Sequence, residues 1–418
     1  MAHHIDDFTA PRLPWPVRAC NRVAGPLATR LVSFDDDELL ATARKRTGLD
    51  DFGHDGFREP LAVLTNALRV EARLSPLGRV MARQLIVQLL STRLRAEDLI
   101  TCHPEILEEP IHAPIFIVGL PRTGTTHLHN LVSQDPSLRS LPYWESLEPV
   151  PPGALPVGDD GTDADDPRRR RCEQALKLQH YLMPLFELMH EMTVDAAHEE
   201  IQLLAVDFST MLFETMYEIP SYRDWYKASN QTSAYRTLRR MLQMLQWIRG
   251  PKRWVLKSPQ HLEQIGPLLS VFPDARIVQT HRDPLRVLAS MITMAAYGLR
   301  VQNQPIDPHV TGRYWRDRVE DLLRAAVENR PLIPAGQVMD VRFHEFMGDD
   351  VGTAGHVLEF VDQAGGDGAR RAIERYMAAN PRGKHGTIDY RLDDFGIDAD
   401  EQRRALRFYQ DFFDVPDE

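Results

Sequence analysis

The residues that decide the fold read PIFIVGLPRTGTT and occupy positions 114–126. The apolar run PIFIV ends at Gly119, which is typical of a strand buried inside a parallel sheet. The residues after it contain two glycines and a proline, so they predict a turn. A helix is expected to begin near Thr125. The stretch therefore predicts a strand, a turn and a helix in succession, which is the repeating unit of an α/β fold.

Further short apolar runs follow towards the C-terminus. Strands are expected at 254–256, 276–280 and 337–341, and helices are expected to begin near Pro259 and Pro284. Because strands alternate with helices, we expect an α/β fold with a central parallel sheet and helices on both faces.

Helical patterns dominate the rest of the chain. Within residues 77–99 apolar side chains recur at three- and four-residue spacing, as in an amphipathic helix. We expect residues 1–110 to form a helical N-terminal extension packed on the core, and residues 111–418 to form the main domain. The role of the extension stays open between a cover for the core and a contact with a second copy or a membrane surface. Residues 141–167 are too rich in Pro, Gly and Asp for a continuous helix, whereas a long helical stretch is expected over 168–192.

The composition excludes several classes of protein. The 418 residues carry a formal net charge of −11, which disfavours nucleic acid as a partner. No run of 18 apolar residues predicts a transmembrane helix, and the first residues do not resemble a signal peptide. The three cysteines are far apart and fit neither a disulfide framework nor a metal site, so we expect a cytoplasmic protein.

The turn after Gly119 is suited to an anion. Backbone amides of a glycine-rich turn point inward, and the amino end of the following helix adds positive potential. A nucleoside-triphosphate loop would carry lysine where this chain has Thr125, whereas Arg122 supplies a cation that can hold phosphate or sulfate oxygens with two nitrogens.

A second anion-binding pattern follows the strand at 276–280. The sequence HRDP places Arg282 at the strand end, with Asp283 as the expected N-cap and Pro284 as the first helical residue. Ser290 lies eight residues after Arg282 on the same helix. A fixed cation and a hydroxyl that converge in this way can hold a terminal phosphate.

The sequence PRTGTT resembles the 5′-phosphosulfate loop of sulfotransferases that use 3′-phosphoadenosine-5′-phosphosulfate (PAPS). The similarity covers residues 115–300 and returns at about 380–396, and it is closest to a bacterial branch that contains many mycobacterial sulfotransferases. It implies a P-loop-like sulfotransferase fold, PAPS as the donor and 3′-phosphoadenosine-5′-phosphate (PAP) as the product. The sequence near the loop has no D-x-D motif or carboxylate cluster at metal spacing, so we expect no catalytic metal. The donor-binding residues that the resemblance implies are Arg122, Thr123, Gly124, Thr125 and Thr126 for the 5′ side, Arg282 and Ser290 for the 3′-phosphate, and Arg382, Gly383 and Lys384 in a loop that closes over it.

The resemblance also implies the chemistry. Lys257, at a strand end, resembles the lysine that contacts the leaving oxygen, and Arg122 assists it. Glu145 resembles the glutamate base of tyrosylprotein-type enzymes. Histidine is the base in the cytosolic branch, so the alternatives are His261, or His190 or His198 with Glu199 and Glu200.

The acceptor is expected to be a small molecule with a hydroxyl group and a partly apolar body. Residues 141–167 and 181–189 either border its pocket or belong to the core. Two other functions stay open, namely a P-loop kinase-like phosphotransferase and a PAP-binding protein without activity. A homodimer is also open.

Overall fold

A five-stranded parallel sheet forms the centre of the computed structural model, which describes residues 2–25, 28–151, 166–303, 305–363, 366–381 and 386–418. The strands in these residues are β1 (Ala2–His3), β2 (Ile115–Val118), β3 (Leu138–Arg139), β4 (Leu141–Pro142), β5 (Ala197–His198), β6 (Arg253–Lys257), β7 (Arg276–His281), β8 (Val338–Arg342) and β9 (Thr387–Ile388).

The order in the central sheet is β3-β6-β2-β7-β8, and every neighbouring pair is parallel. The register pairs Ile117 with Lys257 and Val118 with Gln279, so β2, β6 and β7 end side by side. The loops that follow these three strands therefore meet at one edge of the sheet, which is where open α/β folds bind ligands. The predicted parallel sheet is confirmed.

The central strand has one apolar face on each side. Phe116 packs into a large cluster with the N-terminal helices, whereas Ile115 and Ile117 pack into a second cluster with the helices after β8. Because strand side chains alternate, one four-residue strand serves both cores. Helices accordingly cover both faces, as predicted.

The helices account for most of the remaining chain. They are α1 (Trp15–Ala24), α2 (Ala28–Leu31), α3 (Asp36–Thr47), α4 (Arg58–Val70), α5 (Pro76–Cys102), α6 (Thr125–Val132), α7 (Tyr143–Leu147), α8 (Pro167–Leu182), α9 (Phe186–Met189), α10 (Ile201–Leu204), α11 (Leu212–Met216), α12 (Pro220–Ala228), α13 (Thr232–Arg249), α14 (Ile265–Val271), α15 (Pro284–Gln302), α16 (Pro308–Asn329), α17 (Phe343–Gly348), α18 (Asp350–Phe360), α19 (Gly366–Ala379) and α20 (Ala399–Phe413). The helices predicted over 77–99 and from Pro284 correspond to α5 and α15.

Two helix predictions need correction. The segment after Pro259 forms a 3₁₀ turn, Pro259–Glu263, before α14 begins. The stretch over 168–192 divides into α8 and α9, with a break around Pro184. Proline has no N–H to donate and its ring collides with the preceding helical turn, so a continuous helix cannot pass through that position easily.

The N-terminal helices share the core of the sheet. Leu61 of α4 and Leu90 of α5 belong to the same buried cluster as Phe116. The boundary near residue 110 stays a prediction. Among the described residues, no helix is both long and apolar enough to cross a membrane.

Candidate active site

The loop between β2 and α6 has the backbone of an anion cradle. Arg122 and Gly124 adopt positive φ angles of 71° and 87°, which turn the chain sharply before α6. Gly124 occupies the N-cap position and provides no side chain to cap the helix. The first amides of α6 are therefore left available for an anion.

Close packing against β7 explains the glycine that starts this loop. A Cβ at Gly119 would lie 2.2 Å from the hydroxyl of Thr280 and 3.0 Å from its carbonyl oxygen. The Thr280 hydroxyl lies 2.6 Å from the Thr123 hydroxyl, which also donates to the Leu120 carbonyl at 2.6 Å. The loop is thus fixed to the end of the neighbouring strand.

Arg122 and Arg282 lie next to each other at the end of the sheet. Arg282 donates through Nη1 to the carbonyl oxygen of Arg122 at 3.0 Å. Arg122 donates through Nη1 to the Met189 carbonyl, and its buried Nε has no hydrogen-bond partner among the described residues. A buried guanidinium N–H without a partner is costly, so this atom is poised to donate to a ligand.

The Arg282 guanidinium already holds an acidic group. The Glu418 carboxylate accepts from its Nη2 at 2.8 Å and from its Nε at 3.0 Å, and the Phe343 ring lies 3.8 Å from the guanidinium carbon. Asp283 caps α15 by accepting from Leu285 N at 2.9 Å, as predicted. Nothing in the sequence pattern points to Glu418.

Ser290 lies about two turns into α15 and is 4% exposed. Its hydroxyl has no hydrogen-bond partner among the residues the structure describes. The hydroxyl of Ser258, after β6, is buried in the same unsatisfied way, and it does not make the helix cap that its position suggests. Hydroxyls normally find partners when buried, so both positions fit contacts with a ligand.

Lys257 reaches the loop from the end of β6. It is 2% exposed, and its ammonium group donates to the Thr126 hydroxyl at 3.3 Å and forms an ion pair with Glu199. The Lys257 backbone N–H donates to the Glu200 carboxylate at 2.8 Å. The predicted catalytic lysine is therefore next to the predicted phosphate loop.

His261 belongs to a buried chain of polar groups beneath Lys257. One ring nitrogen contacts the Glu200 carboxylate and the other lies 2.6 Å from the Tyr235 hydroxyl. Burial opposes ionisation of Glu200, but the hydrogen bond and charge of His261 outweigh it and lower the pKa of this carboxyl. With both ring nitrogens engaged, His261 is poorly placed to accept a proton from a substrate.

His190 and His198 are half-buried near the same lysine. Burial, together with the charges of Lys257 and Arg122, lowers the pKa of His190 to about 3. Burial, with His190 and Lys257 nearby, holds the pKa of His198 well below its usual value, and its ring centroid lies 4.4 Å from that of Tyr143. Both imidazoles are consequently neutral near pH 7.

Glu145 has a different environment from the one that a base would need. It is 2% exposed, and its carboxylate accepts from Arg139 Nη2 at 2.7 Å and from Arg249 Nε at 3.1 Å. Arg139 is paired with Trp254 near the amino end of β6, whereas Lys257 is at its carboxyl end. Guanidinium groups contact both carboxylate oxygens, so these contacts do not favour Glu145 as a base.

A match to a family model identifies the family of this chain. The model of the sulfotransferase family matches residues 114–364, which is more than half of the chain and includes the loop, Lys257, Arg282 and Ser290. The chain belongs to the sulfotransferase family.

Relatives of this sulfotransferase come from mycobacteria. Sulfotransferase STF1 from Mycobacterium tuberculosis H37Rv is 31% identical with a TM-score of 0.79, over 90% of this chain and 98% of that one. Sulfotransferase STF9 from Mycobacterium avium is 26% identical with a TM-score of 0.81, over 92% and 98%. The omega-hydroxy-beta-dihydromenaquinone-9 sulfotransferase Stf3 of M. tuberculosis is 28% identical over 257 residues, or 57% of this chain. The chain matches 60% of the length of that curated relative.

An open cavity of about 310 Å³ is lined by residues on both sides of Met189, whose carbonyl oxygen accepts from Arg122. Its lining includes Met183, Phe186, His190 and Met192, so part of the segment predicted to border an acceptor faces a cavity. Two neighbours, Leu182 and Met189, are buried in the core instead.

Three predicted donor contacts, Arg382, Gly383 and Lys384, lie outside the described residues.

The sequence also did not single out Thr280 as a support of the loop. The signal that could have found it is its position at the end of β7, beside the loop in a parallel sheet.

Proposed function

We propose that this sulfotransferase transfers a sulfuryl group from PAPS to a hydroxyl of a partly apolar acceptor, and releases PAP. The observation that carries the proposal is the meeting of Arg122, Arg282 and Lys257 at one uncapped helix start. Three cations around a loop of free amides suit a donor with a 5′-phosphosulfate and a 3′-phosphate.

Unsatisfied buried atoms support the fit to this donor. Arg122 Nε and the hydroxyls of Ser258 and Ser290 all lack partners among the described residues. In this proposal Arg122 and the amides of the loop hold the 5′ side, and Arg282 and Ser290 hold the 3′-phosphate. Glu418 then has to leave Arg282 when the donor binds, because both anions need the same guanidinium edge.

The transfer needs charge stabilisation and a proton acceptor. The acceptor oxygen forms a bond to sulfur while the bond from sulfur to the bridging oxygen of the donor breaks. Lys257 stabilises the negative charge that develops on the bridging oxygen. Thr126, which already accepts from the lysine at 3.3 Å, keeps its ammonium group beside the loop.

Glu199 is the base that the contacts favour. Its side chain is 19% exposed and forms an ion pair with Lys257 at the loop. When Lys257 turns towards the donor, the Glu199 carboxylate is released to take the proton of the acceptor hydroxyl. His198 precedes it in the chain and is neutral, so it is the alternative among the histidines, and Glu145 stays the alternative from the family resemblance.

The nature of the acceptor is proposed from a cavity and a relative. Met183, Phe186 and Met192 give the 310 Å³ cavity adaptable apolar walls. The name of the curated relative Stf3 specifies an ω-hydroxylated dihydromenaquinone. The cavity walls support an acceptor with an apolar body, and the name of the relative supports a hydroxyl group on it.

Ligand selectivity tests this function. PAP should raise the melting temperature of the chain, whereas ATP and ADP without Mg²⁺ should raise it little, because ligands stabilise the native state that binds them. Transfer from PAPS to an alcohol or phenol should also continue in excess chelator. Stabilisation by Mg²⁺-ATP with no response to PAP would instead identify a kinase-like protein. Stabilisation by PAP without turnover for any hydroxylated acceptor would identify a binding protein.

A further inference from the structure

The first helix presents an apolar side to solvent. No residue of α1 is buried, and Trp15 and Val23 are 72% and 78% exposed. Leu31, the last residue of α2, is 73% exposed. Among the described residues, four large apolar side chains are more than 70% exposed. Three of the four are Trp15, Val23 and Leu31. We refer to Trp15 and Val23, together with Arg18 and Arg22, as the α1 face.

The apolar stripe points away from the protein. Asn21 faces inward, since its side-chain oxygen accepts from the backbone N–H of Leu77 at 3.2 Å, and Val17 is half-buried on the same side. Trp15 and Val23 are eight residues apart, with Ala19 midway, so they align on the opposite side of the helix. The body of the protein therefore leaves this stripe without a partner.

The charged residues of the segment that contains α1 are all positive. No acidic residue lies between Asp7 and Asp35, although the whole chain has a net charge of −11. Arg18 and Arg22 are exposed, and their guanidinium groups have no hydrogen bond or ion pair with any described residue. A solvent-exposed amphipathic helix with arginine and tryptophan is typical of a helix that lies in a membrane interface.

We propose that the α1 face docks on the surface of a lipid bilayer that contains anionic lipids. Trp15 and Val23 enter the headgroup region, where tryptophan is favoured, and Arg18 and Arg22 contact lipid phosphates. A two-fold dimer through the same face is a poorer occupant, because it would bring the arginines of two copies together with no acidic residue of the segment between them.

Contacts connect the segment before α1 to the segment that lines the cavity of about 310 Å³. The Asp7 carboxylate accepts from the Arg12 backbone N–H at 2.9 Å and forms an ion pair with Arg300. The Arg300 guanidinium carbon lies 3.8 Å from the Tyr297 ring centroid, and the Tyr297 hydroxyl accepts from the Leu185 backbone N–H at 3.0 Å. A role of this connection in sulfotransfer would rest on the proposed function, whereas docking itself does not.

Vesicle binding tests the proposal without any donor or acceptor. The full chain should sediment with vesicles of phosphatidylcholine and phosphatidylglycerol, and much less with pure phosphatidylcholine. Trp15 fluorescence should shift to the blue and be quenched by brominated lipid, because the other tryptophans are half-buried or buried. Trp15→Ser/Val23→Ser should lower the partition coefficient by at least about tenfold. Arg18→Gln/Arg22→Gln should lower it by roughly 30-fold and reduce its dependence on salt.

Matched variants separate docking from general effects. Leu332→Ser removes an apolar side chain that is 53% exposed elsewhere, and Arg236→Gln/Arg404→Gln removes two exposed arginines from α13 and α20. Both should bind vesicles like the wild type. All variants should melt like the wild type, since the changed residues are exposed.

Three results would overturn the proposal. The first is no binding to the mixed vesicles. The second is equal loss of binding in the matched variants. The third is a dimer in sedimentation velocity that Trp15→Ser/Val23→Ser dissociates, since a second copy would then cover the face. Loss of sulfotransfer with intact vesicle binding would contradict only the proposed function.

Discussion

Substitutions of Arg282 and Glu418 should change the affinity for PAP in opposite directions, which allows a test of the proposed donor site. The two residues form an ion pair at 2.8 Å, and the side chains are 22% and 23% exposed. If Arg282 holds the 3′-phosphate, Arg282→Ala should weaken PAP binding and Glu418→Gln should strengthen it. Neither change should alter the affinity for adenosine-5′-phosphosulfate, which lacks the 3′-phosphate.

The magnitudes follow from the contacts. Hydrogen bonds to a charged group contribute about 1.5–3 kcal/mol, so Arg282→Ala should weaken PAP roughly 10- to 150-fold. A partly exposed ion pair contributes about 0.2–1 kcal/mol, and PAP has to break this pair in the wild type. Glu418→Gln should therefore tighten PAP binding only about 1.4- to 5-fold.

Isothermal titration calorimetry with PAP and with adenosine-5′-phosphosulfate measures both effects. Asp411→Asn is the matched control for charge, because Asp411 is an exposed carboxylate on α20 that pairs with Arg407. It should leave both affinities unchanged. Equal weakening of both ligands by Arg282→Ala would refute the reasoning and show that this arginine supports the loop through the Arg122 carbonyl. Weaker PAP binding in Glu418→Gln would show that Glu418 helps to hold the donor.

Three further predictions concern the base, the loop and the response to acid. Glu199→Gln should lower kcat by about 10²–10⁴ with little change in PAP affinity, whereas Glu145→Gln should lower stability by about 3–5 kcal/mol because it removes the carboxylate that neutralises the nearly buried Arg139; the reverse pattern in kinetics and denaturation would restore Glu145 as the base. Gly119→Ala should destabilise the fold by about 1–3 kcal/mol in urea denaturation, since its Cβ would lie 2.2 Å from the Thr280 hydroxyl, and an unchanged midpoint would contradict this packing. Burial opposes ionisation of Asp340, but hydrogen bonds from a histidine and an arginine lower its pKa from 3.8 to about 2. Its contribution to stability is present above pH 3.8 and is lost as the pH falls towards 2, so Asp340→Asn should be less stable than the wild type near neutral pH and the difference should shrink in acid melts.

The local sequence pattern was enough to predict the central strands and the start of α15. β2 is an apolar run that ends at a turn residue, and β6 and β7 have apolar centres at 254–256 and 277–278, which is typical of strands that are buried on both faces. Pro284 and Asp283 mark the start of α15 because their effects on a helix end are local. For the same reason, the loop after Gly119 could be predicted to bind an anion, since the amides and Arg122 on which that prediction depends are consecutive in the chain.

Tertiary structure decided which distant side chains meet. Glu145 and Glu199 are both glutamates near apolar residues in the sequence, but only Glu199 forms an ion pair with Lys257, whereas Glu145 lies between Arg139 and Arg249. Such pairs join residues that are 6 to 104 positions apart, and a one-dimensional pattern carries no record of them.

The same limit applies to the exposed ends of the chain. An apolar stripe on a helix normally packs on the core, so only the structure shows that Trp15 and Val23 face solvent. Glu418 likewise has no pattern that pairs it with Arg282. The local sequence therefore predicted the central strands, the start of α15 and the loop after Gly119. Packing determined the partner of each charged side chain, because burial and ion pairing depend on which surfaces meet after the chain has folded.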